Sequence, residues 1–247
     1  NDETLLLQPR LPDVPHVQTP NRLAAAKQAV ERLGCQVIVL DDAFQHRRIA
    51  RDLDIVTLDA LQPFGYEHLF PRGTLRESLS GLRRAGLVVL SRADAIHPAQ
   101  RQQIRARVQQ IAPQAAWAEV THLPECLVSA AGRQEELAAV GGQPAAAFCG
   151  IVNPAAFRHT LEQCGILLRA VREFPDHYPY KAASQHALDR WAAALEVQVV
   201  LCTEKDLVKI GRDRLGGKPL WAVRISPRFL AGQQLLEERL ESLLALI

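Results

Sequence analysis

Two features are missing from the sequence. Its 247 residues include no methionine, and no Gly-x-x-x-x-Gly-Lys-Ser/Thr loop occurs among them. The backbone amides and the lysine of such a loop grip the β- and γ-phosphates of a bound nucleotide. The chain opens on Asn1 without a lead-in, and we therefore expect it to be the later part of a longer polypeptide.

Closely spaced cysteines and histidines are also missing. The five cysteines are scattered without a Cys-x-x-Cys pair, and the eight histidines form no His-x-x-x-His pair. This usage disfavours a disulfide framework and a zinc hydrolase, and it is typical of reduced core thiols in a cytosolic protein. No apolar run approaches the ~20 residues of a membrane span, and no signal peptide is visible.

An excess of charge of either sign is absent as well. The net charge is +2, which is too small to indicate a nucleic-acid partner. Hydrophobic residues make up 48% of the chain, a share that excludes a disordered protein. The length allows one large or two modest domains with a sizeable core.

Helix and strand patterns alternate along the chain and predict an α/β fold. Strands are predicted at 37–40, 55–59, 85–90, 145–149, 167–172, 197–202 and 220–225. Helices are predicted at 21–33, 97–111, 153–164, 182–195 and 230–247. Residues 138–144 hold a Gly-Gly pair and are the best linker candidate, so the predicted domains are 1–140 and 145–247.

The apolar run 37–40 is the segment around which the first domain is predicted to be organised. It is rich in β-branched residues, follows Gly34 and ends at Asp41 and Asp42. Carboxylates at the carboxyl end of a parallel strand are well placed to hold Mg²⁺ against nucleotide phosphates, which is the physical content of a Walker B element. An isolated run of this kind is more often a strand with a solvated turn. The aromatic, amide, imidazole and guanidinium groups of residues 44–48 are poor turn material and favour a site.

Two further segments contain candidate site residues. The loop 61–80 has little periodicity and ends near Arg76 and Glu77, which also fit an ordinary ion pair at a helix start. Residues 91–94, Ser-Arg-Ala-Asp, follow a predicted strand. They partly match the Asn/Thr-Lys-x-Asp motif that reads a nucleotide base, since the Asp and the basic residue are kept and the Asn is lost.

Five segments together resemble the tetraacyldisaccharide 4'-kinase family, the lipid A kinases of Gram-negative-type outer-membrane biogenesis. They are residues 41–59, which include Asp-Asp-Ala-Phe-Gln-His-Arg-Arg, and residues 63–77, 148–154, 174–180 and 203–206. The chain departs from the family pattern at three positions. It has Ala43 where the family usually has Gly, Thr4 where it has Pro, and Tyr178 where it has a second His.

The resemblance implies a P-loop kinase-like parallel sheet flanked by helices, without its N-terminal part, plus a second, smaller α/β domain. It implies ATP and Mg²⁺ as cofactors and phosphorylation of the 4'-hydroxyl of an acylated glucosamine disaccharide 1-phosphate. It also implies a peripheral position on the cytoplasmic face of the inner membrane, held mainly by the missing part. We expect these 247 residues themselves to be soluble, to fold, and not to turn over ATP.

The resemblance also assigns residues to roles. Metal binding falls to Asp41 and Asp42, and nucleotide binding to Ser91, Arg92 and Asp94. Substrate binding falls to Glu3, Arg22, Gln45, His46 and Arg47. The catalytic residues are Asp2, His177, Arg76 and Glu77, with the Asp2 carboxylate near the acceptor hydroxyl and the His177 imidazole raising its basicity or orienting it.

Three other functions stay open on the residues alone. A GTPase or nucleotide-dependent chaperone would use the acid pair and residues 91–94. A nucleotide-free binding module would need no phosphate cradle. A zinc hydrolase has only the number of histidines in its favour.

Overall fold

The computed structural model describes residues 6–8 and 10–245, which form two compact units. We call the unit of Val17–His122 and Pro227–Ile247 the acid-pair unit, and the unit of Asn1–His16 and Leu123–Ser226 the His177 unit. This division differs from the predicted boundary at residues 138–144, which lie inside the His177 unit. The reason is that two long strands, β3 (Ala116–Val128) and β9 (Lys218–Ala231), each continue from one unit into the other.

Three parallel strands form the sheet of the acid-pair unit. They are β1 (Ile55–Asp59), β2 (Leu87–Ser91) and the first part of β3, in the order β1-β2-β3. The side chains of Val88, Leu90 and Trp117 are buried against Ile104 and Val108 of helix α2 (Pro98–Ile111). The unit also contains α1 (Arg22–Leu33), α6 (Gln233–Leu244) and short 3-10 helices at Gly65–Glu67, Leu79–Arg84 and Ala93–Ala95.

The predicted helices at 21–33 and 97–111 are confirmed, and each begins at a capping side chain. Asn21 accepts a hydrogen bond from the backbone N–H of Ala24, and α1 ends where Gly34 adopts a left-handed φ of 64°. His97 caps α2 in a capping box with Gln100. Side chains at the helix starts therefore fix where the chain turns back towards the sheet.

The predicted strand at 37–40 is wrong. None of the described residues pairs with this run, and the side chains of Val37 and Val39 are 54% and 92% exposed. A strand needs a hydrogen-bonded neighbour, and β-branched residues without one have no ladder to join. Asp41 and Asp42 therefore follow an irregular segment rather than a sheet strand.

The His177 unit is built on a second set of parallel strands. β5 (Pro144–Cys149) pairs with β6 (Leu167–Glu173) on one side and with β7 (Val199–Thr203) on the other, and β7 pairs with β9. The short strands β4 (Gln134–Glu135) and β8 (Arg214–Leu215) pair antiparallel with β3 and β9. The helices are α3 (Pro154–Gln163), α4 (Ala182–Ala193), α5 (Glu204–Ile210) and a 3-10 turn at Leu137–Val140.

Both faces of this sheet are covered. In β5, Ala147 and Cys149 pack into one core cluster while Phe148 between them packs into the other, as the two-residue period of a strand requires. Because both faces of β5 and β7 are buried, the sequences of these strands are nearly continuous apolar runs. The sheet of parallel strands flanked by helices confirms the predicted α/β class.

The connections from β5 and β7 lead in opposite directions. β5 continues through α3 to β6, and β7 continues through α5 and β8 to β9. Such a topological switch point leaves a crevice at the carboxyl ends of the two strands. Gly150 and Thr203 mark those ends. In residues 6–8 and 10–245 no helix has the length and apolar character needed to cross a membrane.

Candidate active site

A cleft of about 210 Å³ lies beside the carboxyl end of β1 in the acid-pair unit. Its lining contains residues from two predicted segments. Phe44 and Gln45 come from residues 41–48, which we call the acid-pair segment, and Arg76 and Glu77 come from the loop 61–80. Asp59, the last residue of β1, lines it as well. The fold thus brings both predicted segments to one site.

Arg76 is ion-paired with Asp42 at this site. Its Nη1 donates hydrogen bonds to both carboxylate oxygens and lies 2.6 Å from Oδ2. This hydrogen bond is the main reason why the pKa of Asp42 is lowered, and the charges of Arg76, Arg22 and His46 lower it further against the opposing effect of burial. Three predicted site residues therefore act electrostatically on Asp42 and favour its ionised form.

The acid pair fits Mg²⁺ by its chemistry. Asp41 and Asp42 are both exposed, and carboxylate oxygens are the ligands that Mg²⁺ prefers. Among the described residues, no group of three or more His, Cys, Asp or Glu side chains could hold a metal ion alone. A site of one or two carboxylates suits an ion that is held jointly with the phosphates of a nucleotide.

Glu77 has a different partner from its neighbour Arg76. Nη2 of Arg84 lies 2.6 Å from Oε1 of Glu77 and 3.2 Å from the backbone oxygen of Phe44, and the Arg84 guanidinium lies 4.3 Å from the centre of the Phe44 ring. These contacts fasten the loop 61–80 to the acid-pair segment. Sequence reasoning missed Arg84, because only its contacts in the fold distinguish it from Arg83.

The segment at the end of β2 is organised around an ion pair. Arg92 has a left-handed φ of 55°, its Nε lies 2.9 Å from Oδ1 of Asp59, and its Nη2 donates to Oδ2. Partial desolvation of the imidazole lowers the pKa of His122, an effect that the charge of Asp94 opposes and that of Arg92 assists. Asp59 and His122 thus join Ser91, Arg92 and Asp94 at this end of the sheet. Asp59 was not predicted as a site residue, although its position at the end of a predicted strand is a signal that could have identified it.

The remaining substrate-binding candidates of this unit surround the acid pair. Arg22 is the first residue of α1, and the backbone oxygen of His46 accepts a hydrogen bond of 2.7 Å from Arg51. Arg51 is in turn paired with Asp54, 2.6 Å away. Arg47 has an exposed side chain. The backbone of the acid-pair segment is therefore held by Arg51, while its basic side chains face solvent.

His177 lies in the other unit, in the segment 174–180. It has a left-handed φ of 56°, its backbone N–H donates to Oδ1 of Asp176 at 3.0 Å, and its Nε2 lies 3.5 Å from Oδ2 of the same residue. The imidazole thus lies beside the Asp176 carboxylate. Asp2 and Glu3 lie outside the described residues, so the predicted cooperation of Asp2 with His177 stays a prediction.

Comparison with known proteins identifies related sequences along nearly the whole chain. The family model for tetraacyldisaccharide-1-P 4'-kinase matches residues 1–245. A tetraacyldisaccharide 4'-kinase of Anaeromyxobacter dehalogenans strain 2CP-C is 43% identical over 97% of this chain and 64% of its own length. The enzyme of the same name from Halothermothrix orenii is 36% identical over 86% of this chain and 58% of its own length. The chain thus spans less than two-thirds of the length of these relatives.

One solved structure has a similar fold. It is the crystal structure of an "apo" form of LpxK from Aquifex aeolicus in complex with ATP, at 2.2 Å resolution. The match has a TM-score of 0.73 and 26% sequence identity, and it covers 98% of this chain and 69% of that one.

Proposed function

This chain belongs to the tetraacyldisaccharide-1-P 4'-kinase family, and we propose that it serves the ATP- and Mg²⁺-dependent phosphorylation of a lipid. The acceptor would be the 4'-hydroxyl of a tetraacylated glucosamine disaccharide 1-phosphate in lipid A biosynthesis. The enzyme would work as a peripheral protein on the cytoplasmic face of the inner membrane.

The pairing of Arg76 with Asp42 is the observation that supports this proposal most. It joins a carboxylate that fits Mg²⁺ to a guanidinium that can neutralise phosphate charge. Phosphoryl transfer needs both, because catalysis rests on positioning and on stabilising the charge spread over the transferred group. A GTPase would share these groups, so the acceptor decides between the two functions.

We assign the phosphate and metal chemistry to the acid-pair unit. Asp41 and Asp42 would hold Mg²⁺, which when bound neutralises charge on the phosphates. Arg76 would stabilise the transferred group, and Glu77 would fix the loop through Arg84. Ser91, Arg92 and Asp94 would contact the nucleotide base, with the Arg92 side chain directed by Asp59.

Acceptor binding and proton removal fall to the remaining residues. Arg22, Gln45, His46 and Arg47 would bind the disaccharide phosphate, together with Glu3. A sugar hydroxyl is a weak nucleophile, and a positioned base typically contributes about 10²–10⁴-fold. Asp2 would take that proton, with His177 orienting it or raising its basicity.

The test compares two forms of the protein. One is the 247-residue chain, and the other, which we call the extended form, carries before Asn1 the upstream segment of the Anaeromyxobacter dehalogenans relative. Both receive ATP, Mg²⁺ and the acylated disaccharide 1-phosphate, and both phosphorylated lipid and released phosphate are measured. We expect acceptor-dependent lipid phosphorylation by the extended form alone.

Two results would contradict the proposal. Hydrolysis by the extended form that is equally fast without the acceptor would assign it to the GTPase or chaperone class. Robust lipid phosphorylation by the 247-residue chain would show that no further phosphate-binding segment is needed.

A further inference from the structure

Asp206 is a fully buried carboxylate that the assigned roles leave unexplained. It lies in the first turn of α5, and four hydrogen bonds reach its two oxygens. The Gly150 N–H donates to both at 3.1 Å, the Tyr180 hydroxyl donates to Oδ1 at 2.9 Å, and the Thr203 hydroxyl donates to Oδ2 at 2.6 Å. These donors come from the ends of β5 and β7 and from the segment that contains His177.

All four bonds come from neutral groups. A buried carboxylate needs its hydrogen bonds, because inside a protein it loses the water that would otherwise solvate it. Among the described residues, Asp206 forms no ion pair. Its carboxylate therefore depends on the Tyr180 hydroxyl and the Gly150 amide, and any movement of the 174–180 segment would leave it less satisfied.

Tyr180 fixes the end of the His177 segment. It is 2% exposed and has a left-handed φ of 42°, a conformation that residues other than glycine rarely adopt. Its ring packs edge-on against Phe148, Phe174 and Tyr178, with centroid distances of 5.7, 5.2 and 5.1 Å. The bond to Asp206 and this aromatic cluster hold a backbone conformation that would otherwise be unfavourable.

Gly150 brings the start of the segment close to the same carboxylate. A Cβ atom at this position would lie 3.1 Å from the Tyr180 hydroxyl, 3.2 Å from Oδ1 of Asp206 and 3.2 Å from the backbone oxygen of Pro175. A side chain here would push these neighbours apart by a few tenths of an ångström. The backbone oxygen of Pro175 and the side chain of Tyr180, which flank Asp176 and His177, therefore both lie close to Gly150.

The crevice at the switch point between β5 and β7 is thus occupied by the protein's own carboxylate. In many open α/β sheets such a crevice takes a ligand. Here Asp206 holds one end of a short segment through Tyr180, the Phe174 N–H holds the other end by donating to the backbone oxygen of Cys149 at 2.8 Å, and the middle residues Asp176 and His177 are exposed.

We propose that Asp206 is the positioning residue for His177, acting through the Tyr180 hydroxyl and the Gly150 amide. Its carboxylate sets the conformation of residues 174–180 and thereby the direction of the imidazole. The inference rests on the proposed function, in which His177 serves the acceptor hydroxyl, but the anchoring itself can be measured without any turnover.

The test uses Tyr180→Phe, which removes one hydroxyl and keeps the ring. The matched control is Val200→Ala, which lies in the same core cluster as Tyr180 and touches none of the four hydrogen bonds. In the 247-residue chain, the imidazole C–H signals of His177 are recorded by NMR and assigned with His177→Gln. In the extended form, kcat and KM for ATP and the acceptor are measured. Thermal unfolding is followed for every variant.

We expect Tyr180→Phe to shift or broaden the His177 signals and to lower kcat at least tenfold, with both KM values within twofold. Val200→Ala should leave the signals and kcat unchanged even where it lowers the melting temperature as much. Unmoved His177 signals in Tyr180→Phe would overturn the positioning role, and moved signals with an unchanged kcat would overturn its link to catalysis.

An inactive wild-type extended form would instead count against the proposed function, and the NMR result would then decide the anchoring by itself. Asp206→Asn is a second variant, expected to move the same signals.

Discussion

Arg76 and Asp42 are 34 positions apart in the sequence and form an ion pair in the structure, with Nη1 2.6 Å from Oδ2. Both side chains are largely exposed, at 65% and 59%. Exposed ion pairs contribute little to stability, typically about 0–1 kcal/mol. The pair matters because it places a cation that can neutralise phosphate charge beside an anion that can bind a metal ion.

Arg76→Ala should lower kcat strongly and leave the fold intact. Removing one group that stabilises developing charge typically costs about 10²–10³-fold. The measurement is kcat of the extended form at saturating ATP and acceptor, with the melting temperature as a check. Arg83→Ala, which removes another exposed arginine nearby, is the control and should keep the wild-type rate. Equal rates in the two variants would mean that Arg76 has no part in the reaction.

Asp41→Ala and Asp42→Ala should each weaken Mg²⁺-dependent activity while the melting temperature stays within a few degrees. One of them should dominate, because Mg²⁺ often keeps several waters and needs only one protein carboxylate. The rates are compared across a Mg²⁺ titration of the extended form, with Asp52→Ala as an acidic control in the same unit. If both variants match the wild type at every Mg²⁺ concentration, the acid pair is only a turn.

Asp2→Ala should cost more in kcat than His177→Ala, and the double variant should be little worse than Asp2→Ala alone. This pattern is expected for two residues that act as a unit. A double-mutant cycle on the extended form at saturating ATP and lipid measures it. Fully additive losses would show that the residues do not cooperate, and an unchanged kcat in His177→Ala would remove that residue from the chemistry.

The buried thiols predict a loss of stability at alkaline pH. Burial, assisted by the charge of Asp206, raises the pKa of Cys149 from 9.0 to about 12, and burial also raises the pKa of Cys202. Folding therefore favours the thiol, so this contribution is complete below pH 9 and is lost as the pH rises towards 12. Each thiol adds at most about 1.4 kcal/mol per pH unit to that loss.

Two measurements check this prediction. The free energy of unfolding is determined between pH 7 and 11, and it should fall less steeply in Cys149→Ala than in the wild type. Alkylation by iodoacetamide at pH 8 should modify Cys35, Cys126 and Cys164 before the two fully buried thiols. Rapid modification of Cys149 in the folded chain would contradict the burial on which the argument rests.

The sequence was informative where the physical signal is local. The strand Ile55–Asp59 was predicted with its exact bounds, since four apolar or β-branched residues are followed by Asp59 and all five pair with β2. Asn153 and Pro154 marked the start of α3, because a cap and a first-turn proline are properties of the chain itself. The run 37–40 failed because the presence of a pairing partner is not encoded in the run.

The site was predictable in its residue types but not in its pairings. The motif residues Asp42 and Arg76 could be selected from the sequence, whereas their ion pair depends on how the loop 61–80 folds back. Arg84, Asp59 and Asp206 were missed because each is an ordinary charged residue until its partners are known. Asp206 lies in the segment 203–206 that resembles the family, but its burial depends on the topology.

The most direct test of the account is to locate the phosphate in the product. The extended form is given ATP, Mg²⁺ and the tetraacylated disaccharide 1-phosphate, and the lipid is analysed by phosphorus and proton NMR after a single turnover. We predict one new phosphate on the 4'-oxygen with the wild type and none with Arg76→Ala over the same time. Phosphate released only to water, or lipid phosphorylated equally fast by both proteins, would contradict it.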